Sequence, residues 1–220
     1  MTRLLILILV PVLITYSHFA AAKDADTLIE QTDLREPAPV NETTPVGLIL
    51  ETEDIADLGL SLYKNAYTKD LVIEFYNSIT HSEEITRAIL GNAEKYSVPP
   101  SLAFALCGVE SRFNKKAQNQ NVVSVDRGLF QLNSLSFPDL TEEDFFSITT
   151  NTEHGMKHLR YCLDRGENEV VALAMYNAGE TRVTGTGAPL MTLTYIYRIL
   201  DLRDQLEERF HDMVVSKFSL

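Results

Sequence analysis

The sequence predicts an all-α chain carrying at most a small β element. Three observations predict it. Apolar residues recur at three- and four-residue steps from about Gly47 onward. Good helix caps precede several of these runs. No long stretch alternates apolar and polar residues as a half-buried strand does.

Taken in order, the chain opens on a short basic start, Met1-Thr2-Arg3, followed by the apolar run Leu4–Thr15 and the small residues Ala20–Ala22. That pattern reads as a secretory signal peptide over residues 1–22. The run falls short of the ~20 apolar residues of a membrane-spanning helix; an uncleaved anchor is the alternative. Residues 23–46, rich in Pro, Thr and Glu, read as a disordered linker. Leu48, Ile55, Leu58 and Leu62, then Leu71, Ile73, Phe75 and Ile79, predict two short helices, an N-terminal extension over 47–80. They would pack on the main domain or dock a partner.

The main domain is expected over 81–212. Ser82 is placed as an N-cap, with Glu83 and Glu84 in the first turn. Ile85, Ile89, Ala93 and Tyr96 form one helical face. Pro99-Pro100 ends that helix and opens the next, over Leu102–Phe113. Residues 114–137 read as a loop or small hairpin. Thr141 with Asp144 makes a capping box. Helices are predicted over 151–164, 168–178 and 191–210, with Gly179 ending the second. Thr184–Pro189 reads as an irregular connector and 213–220 as a tail.

The composition bounds the partners. The net charge is −12, and removing a leader that holds one base, Arg3, makes it one unit more negative. An acidic chain is a poor fit for nucleic acid or anionic membrane surfaces. Two cysteines, Cys107 and Cys162, sit on different predicted helices. Export permits a disulfide between them; two buried free thiols are the other reading.

Glu110 ends an apolar helical run, Phe104–Val109, beside Ser111. Partial burial raises a carboxyl pKa, and a carboxyl protonated near neutral pH is a general acid. Further on, Gly128 permits close backbone approach. Gln131 and Asn133 would point their amides the same way if extended. Such amides suit sugar hydroxyls and N-acetyl groups. Tyr176 and Asn177 bring a phenol and an amide to a helix end.

Four segments in order, ESRF (Glu110–Phe113), GLFQLN (Gly128–Asn133), AMYNAG (Ala174–Gly179) and TYIYRI (Thr194–Ile199), resemble the lysozyme-like lytic transglycosylases of bacterial cell walls. The resemblance covers roughly residues 82–205. It implies a lysozyme-like helical domain acting on the glycan strands of peptidoglycan. The bond cleaved would join N-acetylmuramic acid to N-acetylglucosamine, leaving a 1,6-anhydro end, with no metal or cofactor. It implies that Glu110 is the single acid/base and that Ser111 orients the muramyl group. Gln131, Tyr176 and Asn177 would line the cleft, with Asn133 beside them. Tyr195, ahead of Tyr197, would position the glutamate. The implied setting is the cell envelope, for an exported monomer, with envelope machinery as a possible partner.

The family's Gly-Ala-x-Gly-Leu-Met-Gln stretch is replaced here by SVDRGLFQLN. That variant resembles specialised transglycosylases of secretion machines. It also resembles animal-type lysozymes, in which Asp126 would match a second carboxylate and permit hydrolysis. The competing reading makes Asp126 a turn residue bonded to backbone N–H groups. An idle glycan-binding module is a third possibility. His154, His158 and Cys162 share a predicted helix face and would suit zinc. The segment lacks the Glu of a zinc-protease motif, so no metal site is expected. The histidines are read as surface residues and Cys162 as core.

Overall fold

The computed structural model describes residues 55–217. The expected leader, the linker, the start of the extension and the end of the tail lie outside them. Nine helices and a three-stranded sheet are present among the described residues: α1 (Ile55–Lys64), α2 (Lys69–Thr80), α3 (Glu83–Tyr96), α4 (Pro100–Ser111), β1 (Gln118–Gln120), β2 (Val125–Arg127), β3 (Leu132–Asn133), α5 (Glu142–Phe146), α6 (Ile148–Arg165), α7 (Glu169–Ala178), α8 (Glu180–Thr186) and α9 (Leu190–Met213). A 3₁₀ turn, Val215–Lys217, follows.

Helix α4 is the axis. Pro100 opens it, as its fixed φ and missing N–H suit a first turn. Every residue from Pro100 to Val109 is buried, and so is Ser111. Glu110 alone in α4 reaches solvent. Beyond the helix, Arg112 and Phe113 both adopt left-handed backbone, at φ 52° and 58°. For non-glycine residues that conformation costs energy, and such residues cluster at functional sites. The helix therefore ends at Ser111, two residues before the expected end.

The caps behave as their chemistry requires. Ser82 accepts from Ile85 N, and Asn168 accepts from Val171 N at 3.0 Å. The Thr141–Asp144 box is reciprocal. Ser147 ends α5 and also caps α6 through Thr150 N, so α6 begins at Ile148, ahead of the expected 151. The stretch 114–137 contains an antiparallel sheet in the order β1-β2-β3, with Asn119 opposite Asp126 and Asp126 opposite Asn133.

One connector differs from expectation. Residues 184–186, read as irregular, belong to α8. The hydroxyls of Thr184 and Thr186 bond back to Glu180 O and Arg182 O. Glu180 is itself held by Tyr161 Oη and by Arg165, which ties the helix start to α6. Only Gly187–Pro189 remains non-helical.

The extension, where described, is part of the main core. Leu58, Leu62, Val72, Phe75 and Tyr76 join one buried cluster with residues of α3, α4 and α9. Tyr76 stacks on Phe104 of α4, centroids 4.0 Å apart, while Phe75 meets Phe210 of α9 edge-on at 5.1 Å. Aromatic pairs of this kind add to area burial. We expect Tyr76→Ala to cost about 3–5 kcal/mol in urea denaturation, as for other large-to-small aromatic truncations in cores. A loss under about 1 kcal/mol would mean that α2 merely rests on the domain.

Candidate active site

Glu110 sits at the end of α4 with its carboxyl against α9. Tyr195 Oη donates a 2.6 Å hydrogen bond to Glu110 Oε1. Burial pushes the Glu110 pKa up from 4.5 to about 8; the Tyr195 bond opposes the rise and the Asp126 charge adds to it. The carboxyl is thus largely protonated at neutral pH, while Glu110 is the one residue of α4 that is not fully buried. Burial and then the Glu110 charge hold the phenols of Tyr195 and Tyr176 well above their usual range, so both remain neutral donors. Tyr197, two residues from Tyr195, is 66% exposed and points away.

The turn between β2 and β3 is buried but irregular, so its polar backbone must be paired by side chains. Four consecutive carbonyls are. Arg127 O accepts from Asn151 Nδ2 at 3.0 Å, and Gly128 O from Gln131 Nε2 at 2.9 Å. Leu129 O accepts from the Cys107 thiol, and Phe130 O from Tyr176 Oη at 3.0 Å. Phe130 N donates to Asn151 Oδ1 at 2.8 Å. The turn leaves no room for larger residues. Gly128 has φ +78°, and a Cβ there would lie 2.2 Å from Phe145 O. A Cβ on Gly155 would lie 2.3 Å from Phe130 Cγ.

The expected cleft residues fall into different surroundings. Gln131 is not extended: at φ 45° it is left-handed, and its amide folds back on Gly128. The premise that Gln131 and Asn133 point the same way therefore fails. Asn133 Nδ2 donates to Asp126 Oδ1 at 2.7 Å and to Ser124 Oγ at 2.8 Å, while its Oδ1 takes Leu135 N. Asp126 accepts amide N–H from Asn133, Asn121 (2.8 Å) and Asn119 (3.3 Å). It sits in β2, with side-chain amides where the turn reading expected backbone N–H groups. The Ser111 hydroxyl bonds to Cys107 O within its own helix. Asn177 is exposed, and Thr192 Oγ1 donates to its Oδ1 at 2.8 Å.

Both cysteines are free and buried, with thiol pKa values raised by that burial, Cys162 to about 12. His154 and His158 are not surface residues as expected. Phe137 packs its ring edge on both, and His158 also lies 4.9 Å from the Tyr176 ring. His158 Nε2 is 3.9 Å from Cys162 Sγ, and burial lowers the imidazole pKa. Among the described residues, no group of three or more His, Cys, Asp and Glu side chains is placed to hold a metal ion.

A protein-family model described as the transglycosylase SLT domain matches residues 87–189. The match takes in just under half of the chain and agrees with the lysozyme-like lytic transglycosylase resemblance of its motifs. The domain's lysozyme-like helical fold and its action on peptidoglycan accord with the site's carboxyl and amide chemistry. No solved structure matches the chain.

The match ends at Pro189, so Tyr195 and Thr192 come from beyond it. Sequence reasoning missed Asn151, Gly155 and Thr192. The one available signal was an Asn and a Gly four apart among the apolar positions of α6, where Ile148, Asn151, Gly155, Met156 and Leu159 are all buried.

Two outcomes follow from the Glu110 surroundings. A carboxyl raised to about 8 in the fold binds a proton that the unfolded chain releases near 4.5. The stability tied to that proton is complete below the unfolded value and is lost as pH rises through about 8. Glu110→Gln, which cannot ionise, should therefore gain on the wild type between pH 5 and 9. The gain should be on the order of 1–2 kcal/mol, less than the full shift because the carboxyl is partly exposed. Urea titrations at both pH values measure it. Tyr195→Phe removes the one bond that lowers the Glu110 pKa. The alkaline limb of its kcat/KM profile should move to higher pH while the rate falls about 10-fold or more.

Proposed function

We propose that this protein is an exported lytic transglycosylase of the cell envelope. It cleaves the β-1,4 bond between N-acetylmuramic acid and N-acetylglucosamine and forms 1,6-anhydromuramyl ends during cell wall remodelling. The observation that carries this reading is the Glu110 carboxyl at the end of a buried helix, raised by burial to about 8 and held by the Tyr195 hydroxyl. Asp126, the only rival carboxylate named by the sequence, is engaged by three asparagine amides.

Glu110 first gives its proton to the glycosidic oxygen, and the bond from that oxygen to the muramyl anomeric carbon breaks. The carbonyl of the sugar's own N-acetyl group stabilises the positive charge at that carbon, so no protein nucleophile is required. The Glu110 carboxylate then takes the proton of the 6-hydroxyl as that oxygen bonds to the anomeric carbon. The attacking hydroxyl belongs to the same sugar, so its effective concentration is high and water competes poorly. Glu110 ends protonated, and no water is consumed. Gln131, Tyr176 and Asn177 would bind the strand. The acidic chain would hold a glycan by shape and hydrogen bonds.

The test is a digest of peptidoglycan sacculi by purified protein beside Glu110→Gln, with products read by mass spectrometry. Anhydromuramyl ends are expected, and their release should fall about 10²–10⁴-fold in the variant, the range of general acid–base catalysis. Reducing ends heavier by one water would instead make the protein a hydrolase and give Asp126 the second carboxylate's role.

A further inference from the structure

We infer that Thr192 is a positioning residue that fixes the polarity of the Asn177 amide, so that Asn177 offers N–H donors to the glycan. This rests on the reading of the chain as a peptidoglycan transglycosylase. Thr192 lies in the first turn of α9 and is 2% exposed. Asn177 is exposed and lies next to the end of α7. Their 2.8 Å bond spans the α8 segment, which buries no residue of its own. It adds a directional link to the apolar packing of α7 and α9 in the common core.

The two ends of an amide are unlike: Oδ1 only accepts and Nδ2 only donates. A free asparagine at a helix end would present either edge. In the arrangement seen, the Thr192 hydroxyl donates to Oδ1, which leaves Nδ2 for a ligand on the exposed side. The ligand must then bring an acceptor. On a glycan of N-acetylated sugars, the N-acetyl carbonyl is the strongest neutral acceptor, since each hydroxyl both donates and accepts. Thr192 is buried, so it touches no sugar and acts through Asn177. It also stands three residues before Tyr195, on the same helix. One short segment thus orients both the binding amide and the acid.

The test uses binding, so that it does not depend on which product the enzyme forms. Affinities for an N-acetylglucosamine oligomer and for a cello-oligomer of equal length are measured by titration calorimetry in the Glu110→Gln background. Thr192→Val should weaken binding of the acetylated oligomer about five- to tenfold, the worth of one hydrogen bond, and narrow the discrimination between the two. Thr192→Ser should restore both. In an Asn177→Ala background, Thr192→Val should have no further effect; an additive loss would make Thr192 merely structural. Asn177→Asp decides the polarity without relying on the valine variant. It keeps the oxygen that Thr192 bonds and replaces the outward donor, so it should melt as the wild type does and bind as weakly as Asn177→Ala. A lowered melting temperature with binding retained would overturn the inference. Absence of anhydro products in the sacculus digest would overturn the function and leave these binding outcomes standing.

Discussion

A buried backbone that is neither helix nor strand must find a partner for each polar group, and the turn from Arg127 to Gln131 is where this protein meets that constraint. Its carbonyls are satisfied by Asn151 from α6, Cys107 from α4, Tyr176 from α7 and Gln131 from the turn itself. Three helices are thereby bonded to one turn. Leaving any of these groups unpaired would cost on the order of 1–3 kcal/mol, so the turn and the helices fix one another. Gly128 and Gly155 are the steric condition for it, since a side chain at either would overlap Phe145 or Phe130.

The same network explains why the residues of the site serve two purposes. Tyr176 uses its hydroxyl on Phe130 O, and Gln131 uses its amide on Gly128 O. Their positions are therefore set before any glycan arrives, and binding need not order them. His158, sequence-adjacent to nothing in the site, packs its ring on Tyr176 and is kept neutral by burial. The histidines that looked like metal ligands along one helix face are partly buried by Phe137 and Tyr176.

Much of this was legible in the sequence, because caps and helical periodicity are local signals. Ser82, Thr141 and Asn168 start helices where their side chains can accept first-turn N–H groups, and α3 and α7 match their expected spans closely. Glu110 was visible as a carboxylate in an apolar run. What was not legible is non-local. Whether Gln131 is extended depends on Asn151 and Tyr176 drawing the turn inward. Whether α2 belongs to the core depends on Tyr76 meeting Phe104. The bonds of Asp126 depend on Asn119 and Asn133, set opposite it by strand register, and on Asn121 from the turn after β1. In α8 the helix runs on to Thr186 through a segment whose glycines predict its end, and two threonine hydroxyls there bond back to carbonyls four residues earlier.

The position of α9 decides whether the site works, because Tyr195 and Thr192 both lie in its first two turns while their partners lie at the ends of α4 and α7. That position is fixed far from the chemistry. Ile196, Ile199, Leu202, Leu206 and Phe210 are buried along the helix. Near its far end Glu207 accepts from Ser101 of α4 at 2.7 Å, and Arg203 pairs with Glu169 of α7. These two links reach the same two helices that Tyr195 and Thr192 reach. The helix is thus held to α4 and α7 at both ends, and a rotation about its own axis would break contacts at one end as well as the other. Partly buried charges are a poor source of stability, because desolvation offsets their attraction; indeed, burial raises the Glu207 pKa despite the nearby Arg203. Their use here is better understood as register. A slip of α9 by one residue would turn Tyr195 roughly 100° away from Glu110, and it would also part Glu207 from Ser101 and Arg203 from Glu169.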